Sequence, residues 1–142
     1  MSTETPNQAL SARILVMDDE KHILNITRKM LERFGHCVDI TLDGEDAVHR
    51  YKAALENGHP FHLVIMDLTI PGGMGGREAS EAILAMDPHA RILISSGYGN
   101  DPLMTDFAAF GLKGIIPKPF RVSELQEIVD RQVRKSAHPF TG

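Results

Sequence analysis

Short, unbroken apolar runs alternate along this chain with segments of helical periodicity, and that alternation restricts its folds more than any other feature. Ile14-Leu15-Val16-Met17 has no polar alternation, as a strand buried on both faces requires. Behind it Ile23, Leu24, Thr27, Met30, Leu31 and Phe34 recur at helical spacing, with Gly35 just past the end. Cys37-Val38-Asp39-Ile40 reads as a second, weaker strand, with Cys37 as a small core residue. Asp43 caps a helix through Ala47, Val48, Tyr51, Ala54 and Leu55 that stops near Asn57-Gly58. A third strand runs from Phe61 to Met66 and ends at Asp67. A glycine-rich loop follows, then a helix carrying Ala79, Ala82, Ile83 and Met86. Ile92-Leu93-Ile94 is the fourth strand and Ile115-Ile116 a brief fifth. Between them, Asp101 as cap and Pro102 at the first helical position open a short helix that ends before Gly111. Ser123 with Gln126 three residues on forms a capping-box pattern for a last helix, with Leu125, Ile128, Val129 and Val133 inward.

Five strands and five helices in strict alternation predict an α/β fold: a flavodoxin-like, doubly wound, five-stranded parallel sheet with helices on both faces. Each parallel crossover is long and right-handed, so the helices must cover the sheet. The 142 residues suffice for one domain, expected over residues 12–135 between polar tails at 1–11 and 136–142. A formal net charge of −4 argues against non-specific nucleic-acid binding, which needs a basic footprint. No DNA-binding segment is recognised after residue 135. One cysteine excludes an internal disulfide framework and a zinc site built on several thiolates. No apolar run approaches the roughly 20 residues that span a bilayer. The polar start, with neither basic residues nor an apolar core, leads us to expect a cytoplasmic domain.

In open sheets of this kind the site lies beyond the carboxyl ends of the strands. There the sequence places Asp18-Asp19, Asp67, Ser95-Ser96-Gly97 and Pro117-Lys118-Pro119-Phe120. Any one of these has a bland reading as a helix cap, a turn or a loop. Together they put three carboxylates, a hydroxyl and an ammonium on one edge. Clustered carboxylates repel one another and call for a counter-cation. An all-oxygen set with open positions suits Mg²⁺, which binds through one or two carboxylates and a phosphate.

These residues carry a resemblance. Ile14-Leu15-Val16-Met17-Asp18-Asp19-Glu20, Val64-Ile65-Met66-Asp67-Leu68-Thr69-Ile70-Pro71, Ser96-Gly97-Tyr98 and Lys118-Pro119-Phe120 resemble the receiver domain of two-component response regulators, over about residues 12–135. The resemblance implies that Asp67 is the phosphoacceptor, taking a phosphoryl group from a histidine kinase or histidine phosphotransfer protein. It implies that Asp19 holds Mg²⁺ directly and Asp18 through water, with Asp67 and the Thr69 carbonyl completing the protein ligands. Ser96 would contact the phosphoryl group, Lys118 would neutralise its charge, and the Lys118-Pro119 peptide would be cis. The segments from Leu68 to Gly76 and from Ser95 to Tyr98 are similar to receivers of hybrid sensor histidine kinases. Both a standalone regulator and a module of such a kinase fit. The resemblance does not extend to the kinase, the signal or the oligomeric state.

Departures from the family pattern are also present. The family usually has Tyr or Phe three residues before the lysine, whereas Ile115 stands here. We therefore expect a muted or rerouted switch on the face made by the fourth helix, fifth strand and fifth helix. The loop from Pro71 to Gly76 is one residue longer than usual and reads as a flexible connector; no Lys-Ser/Thr follows it to make a P-loop. Tyr98 sits where the family tunes water access to the acyl phosphate, and His59 and His62 read as solvated turn residues rather than ligands. Three other readings compete. An aspartyl-phosphate phosphatase needs a general acid two residues past its nucleophile, where Asp67 has Thr69 and Asp18 has Glu20. A flavin phosphate would be repelled by Asp18-Asp19-Glu20. A degenerate receiver serving only as a protein-docking module would not need the complete set Asp18, Asp19, Asp67, Ser96 and Lys118.

Overall fold

The structure is a computed structural model that describes residues 11–97 and 102–135. Its strands are β1 (Arg13–Met17), β2 (Cys37–Thr41), β3 (Leu63–Asp67), β4 (Ile92–Ser96) and β5 (Gly114–Pro117). They form one parallel sheet in the order β2-β1-β3-β4-β5. The helices are α1 (Lys21–Arg33), α2 (Gly44–Glu56), α3 (Gly76–Met86), α4 (Pro102–Thr105) and α5 (Val122–Arg134). The doubly wound α/β architecture is the one the alternation predicts.

Successive side chains of a strand point to opposite faces, so each apolar run feeds two cores. Ile14 and Val16 of β1 join Leu63, Ile65 and Leu93 in a cluster with Leu24 and Leu31 of α1 and Leu125, Val129 and Val133 of α5. Leu15 and Met17 go the other way, joining Val64, Met66, Ile92 and Ile94 beneath Ala47 and Tyr51 of α2 and Ala79 and Ile83 of α3. This is why the central strands lack polar alternation.

The helix ends follow expectation in places. The Asp43 carboxylate accepts the Asp46 N–H at 2.9 Å, and Gly35 takes φ 97° just past α1. Elsewhere the structure corrects the sequence reading. Cys37 is exposed rather than in the core, because β2 is an edge strand with no further strand beside it among the described residues. His62 is buried, its Nδ1 accepting the Arg13 N–H at 2.9 Å, whereas His59 is exposed as expected. The last helix begins not at Ser123 but at Val122, after Arg121 as N-cap. Glu124 accepts the Arg121 N–H at 2.8 Å. A carboxylate there suits the positive helix terminus better than the amide of Gln126 would. The fourth helix starts at Pro102 but lasts four residues, and a 3₁₀ turn over Phe107–Phe110 completes the path to Gly111. Asp101, expected to cap it, lies outside the described residues, as do Tyr98 and the tails at 1–10 and 136–142.

Candidate functional site

The sheet ends deliver four of the expected side chains to one edge. β3 ends in Asp67, and β1 ends at Met17 with Asp18 and Asp19 directly after it. A carboxylate oxygen from each of the three lies within 4.8 Å of the others, with Asp18 buried, Asp67 half-buried and Asp19 exposed. β5 ends at Pro117, so Lys118 reaches in from the opposite side. Its Nζ is 2.7 Å from Asp18 Oδ2 and 3.6 Å from Asp67 Oδ2. The Lys118-Pro119 peptide is cis.

Register brings in the remaining two. Asp67 pairs with Ser95 and Ser96 with Pro117, so Ser96 sits at the end of β4 between the strands carrying Asp67 and Lys118. The Lys118 N–H donates to the Ser96 carbonyl at 3.1 Å. Ser96 is buried and already has a polar partner. Thr69 is exposed in the loop after β3, and its backbone N–H donates to the Asp67 carboxylate.

Burial raises the Asp67 pKa above its ordinary 3.8, and the charges of Asp18 and Asp19 raise it further. Lys118 and the Thr69 N–H pull it down, and the balance leaves it at about 6. For Lys118, burial disfavours the ammonium. Its hydrogen bond to Asp18 and the charges of Asp67, Asp18 and Glu20 outweigh that, so its pKa ends raised. The edge is therefore a crowd of negative charge with one fixed cation, and a second cation would relieve it. The donor set is all oxygen and partly open, which fits Mg²⁺.

The tight Lys118–Asp18 contact is not legible from spacing, since the two residues lie a hundred positions apart. Glu20, weighed above only as a possible acid, takes a different place: its N–H donates to Asp18 Oδ1 at 2.9 Å, and it is the N-cap of α1. The glycine loop also differs from the flexible connector expected. A Cβ at Gly75 would lie 2.5 Å from the Leu68 carbonyl oxygen, and one at Gly76 would lie 2.6 Å from that of Asp67. The start of α3 is thus pressed, backbone on backbone, onto the peptide that carries Asp67. The Gly76 N–H donates to the Leu68 carbonyl at 3.0 Å, and the Gly44 N–H donates to the Met74 carbonyl at 2.8 Å, which ties the loop to α2.

Comparison with known proteins agrees with this fold. The chemotaxis protein CheY of Treponema pallidum is 36% identical over 117 residues, covering 82% of this chain and 78% of the relative. CheY of Thermotoga maritima is 28% identical over 123 residues, covering 86% and 98%. Among solved structures, the CheX-CheY-BeF3-Mg complex of Borrelia burgdorferi aligns with TM-score 0.78 and 25% identity over 89% of this chain and 97% of that one. The Thermotoga maritima response regulator TrrA, in complex with Mg-BeF, aligns with TM-score 0.74 and 27% identity over 85% and 98%. Residues 14–130, from the first buried position of β1 well into α5, match the sequence profile of the response regulator receiver domain, and the chain belongs to that family.

Proposed function

We propose that this receiver domain accepts a phosphoryl group on Asp67 from a phosphohistidine of a histidine kinase or histidine phosphotransfer protein. The observation that carries this reading is the Asp67 carboxylate at the sheet edge, flanked by Asp18 and Asp19 and 3.6 Å from Lys118 Nζ. A carboxylate oxygen of Asp67 attacks phosphorus in line as the phosphorus–nitrogen bond breaks. The bonding pair returns to the imidazole, and an acyl phosphate is left on Asp67. Catalysis of this kind is positioning plus electrostatics. Lys118 neutralises charge on the transferred group, the Thr69 N–H holds the Asp67 carboxylate, and the Ser96 hydroxyl is the group at hand to bond the phosphoryl oxygens. Asp18, Asp19, Asp67 and the Thr69 carbonyl would hold Mg²⁺, which when bound supplies further positive charge to the phosphoryl oxygens.

A donor must come close beside the site. The surface there is a groove of about 390 Å³ lined by Ile23, Ile26, Thr27 and Met30 of α1 with Lys118, Pro119 and Phe120. An apolar groove bordering the reactive edge is a surface against which a protein donor can pack. The same chemistry serves a standalone regulator and a receiver module of a hybrid kinase.

The test is intact mass after incubation with Mg²⁺ and acetyl phosphate, beside Asp67→Asn. One added phosphoryl group is expected, lost in the variant and blocked by chelator. Without an adduct from acetyl phosphate or from a phosphorylated histidine donor, the domain is a docking module and the reading fails.

A further inference from the structure

β1 enters the sheet between two imidazoles. His36 immediately precedes β2 and His62 immediately precedes β3, the two neighbours of β1. Both rings are buried. The Ala12 N–H donates to His36 Nδ1 at 3.0 Å, and the Arg13 N–H donates to His62 Nδ1 at 2.9 Å. The backbone returns a bond on each side: Cys37 N–H to the Ala12 carbonyl at 2.9 Å, and His62 N–H to the Arg13 carbonyl at 2.8 Å. Two ring nitrogens thus stand where a ladder would otherwise supply carbonyls, adding a rung on either flank. A buried backbone N–H that loses its acceptor has no water to turn to.

An imidazole accepts at Nδ1 only while neutral, with its proton on Nε2; the cation carries N–H on both nitrogens. Protonation therefore removes the acceptor and sets a donor against a donor. We propose that His36 and His62 form an acid-operated latch at the base of β1, holding residues 12 and 13 in the sheet while neutral and releasing them once protonated.

The surroundings of the rings set the window. Burial lowers the His36 pKa below its ordinary 6.5, Asp130 on α5 opposes this, and His62 just before β3 adds to the lowering. His36 Nε2 is buried without a hydrogen-bond partner among the described residues, so none of their carboxylates bonds there to reward the cation. On β1 itself the Arg13 guanidinium, 5.6 Å from the centre of the Phe61 ring, is a further positive charge on the segment the rings hold. The depressed value means that the His36 side of the latch stays closed through pH 6.5. It opens only as pH falls toward the lowered value. The device lies at the amino ends of the strands, remote from Asp67, and does not depend on the phosphoacceptor reading.

The test is amide hydrogen exchange by NMR on the full chain, expressed as protection relative to the intrinsic rate at each pH. Ala12 and Arg13 are expected to lose about tenfold protection or more on the acid side of pH 6.5, each as the imidazole that holds it protonates, while Val16, further along the same strand, keeps its own. Replacing both rings, His36→Asn with His62→Asn, puts a non-titrating carbonyl near each Nδ1 position, and protection at Ala12 and Arg13 should then be flat. Flat protection in the wild type, or an equal acid loss in the asparagine variant, overturns the proposal. Should that variant not fold, the imidazole nitrogen shifts of the wild type decide. Nδ1 protonation of His36 in step with the loss of Ala12 protection supports the latch; a His36 that titrates above 6.5 with Ala12 still protected refutes it.

Discussion

Asp67 and Lys118 are not matched one to one, and that mismatch governs the site at the scale of single residues. The ammonium makes its short contact, 2.7 Å, with Asp18 and stands 3.6 Å from Asp67. Burial and the neighbouring carboxylates therefore keep the Asp67 pKa at about 6. A carboxyl whose folded value lies above the ordinary 3.8 holds its proton longer in the folded than in the unfolded state. The metal-free protein thus gains stability from Asp67 as pH falls from about 6 towards 3.8, and loses it as pH rises through that window. Asp67→Asn removes the charge. It should stabilise the metal-free protein at pH 7 by on the order of 1–2 kcal/mol, read by urea denaturation in chelator. A less stable variant would show that the Lys118 contact outweighs the crowding.

Elements meet most tightly where α3 begins. Gly76→Ala would set a Cβ 2.6 Å from the Asp67 carbonyl oxygen, a contact backbone cannot yield to cheaply. A loss of about 1–3 kcal/mol is expected, with slower phosphorylation of the folded fraction because the reacting carboxylate shifts with its peptide. Gly73→Ala is the control in the same loop, since its Cβ meets only Ile70 Cγ2 at 3.5 Å. Thermal melts and single-turnover phosphorylation of both variants check this, and equal behaviour would mean that the loop gives way freely.

Across the whole molecule the question is where phosphorylation is felt. Ile115, half-buried and packed against the core cluster on the α2–α3 side of the sheet, has no ring to move between buried and exposed poses. Methyl and amide NMR of the phosphorylated protein should show changes around the ends of β3 and β4, with Ile115 exposure unchanged. Shifts over α4 as large as those in receivers with an aromatic at this position would contradict a muted face. Stability against pH is likewise a property of the whole chain. The two ends of the sheet pull it in opposite directions, His36 losing stability below pH 6.5 and Asp67 gaining it below about 6. Comparing the wild type with Asp67→Asn separates the two contributions.

Much of this was legible in the order of residues. Apolar runs without polar alternation demand strands covered on both faces, and alternation with helices demands parallel crossovers. The strand-end rule then points to Asp18, Asp19, Asp67, Ser96 and Lys118 before any coordinates exist, because strand polarity alone carries those positions to one edge. Local caps such as Asp43 were readable for the same reason, being interactions within a few residues. What only the tertiary structure decided are relations between distant segments. It set which carboxylate Lys118 holds, the exposure of Cys37 on an edge strand, and the burial of His62. It also pressed Gly75 and Gly76 against the Asp67–Leu68 backbone. The two histidine rungs on β1 belong with these, because a side chain can replace a ladder carbonyl only once two other strands have been laid beside it.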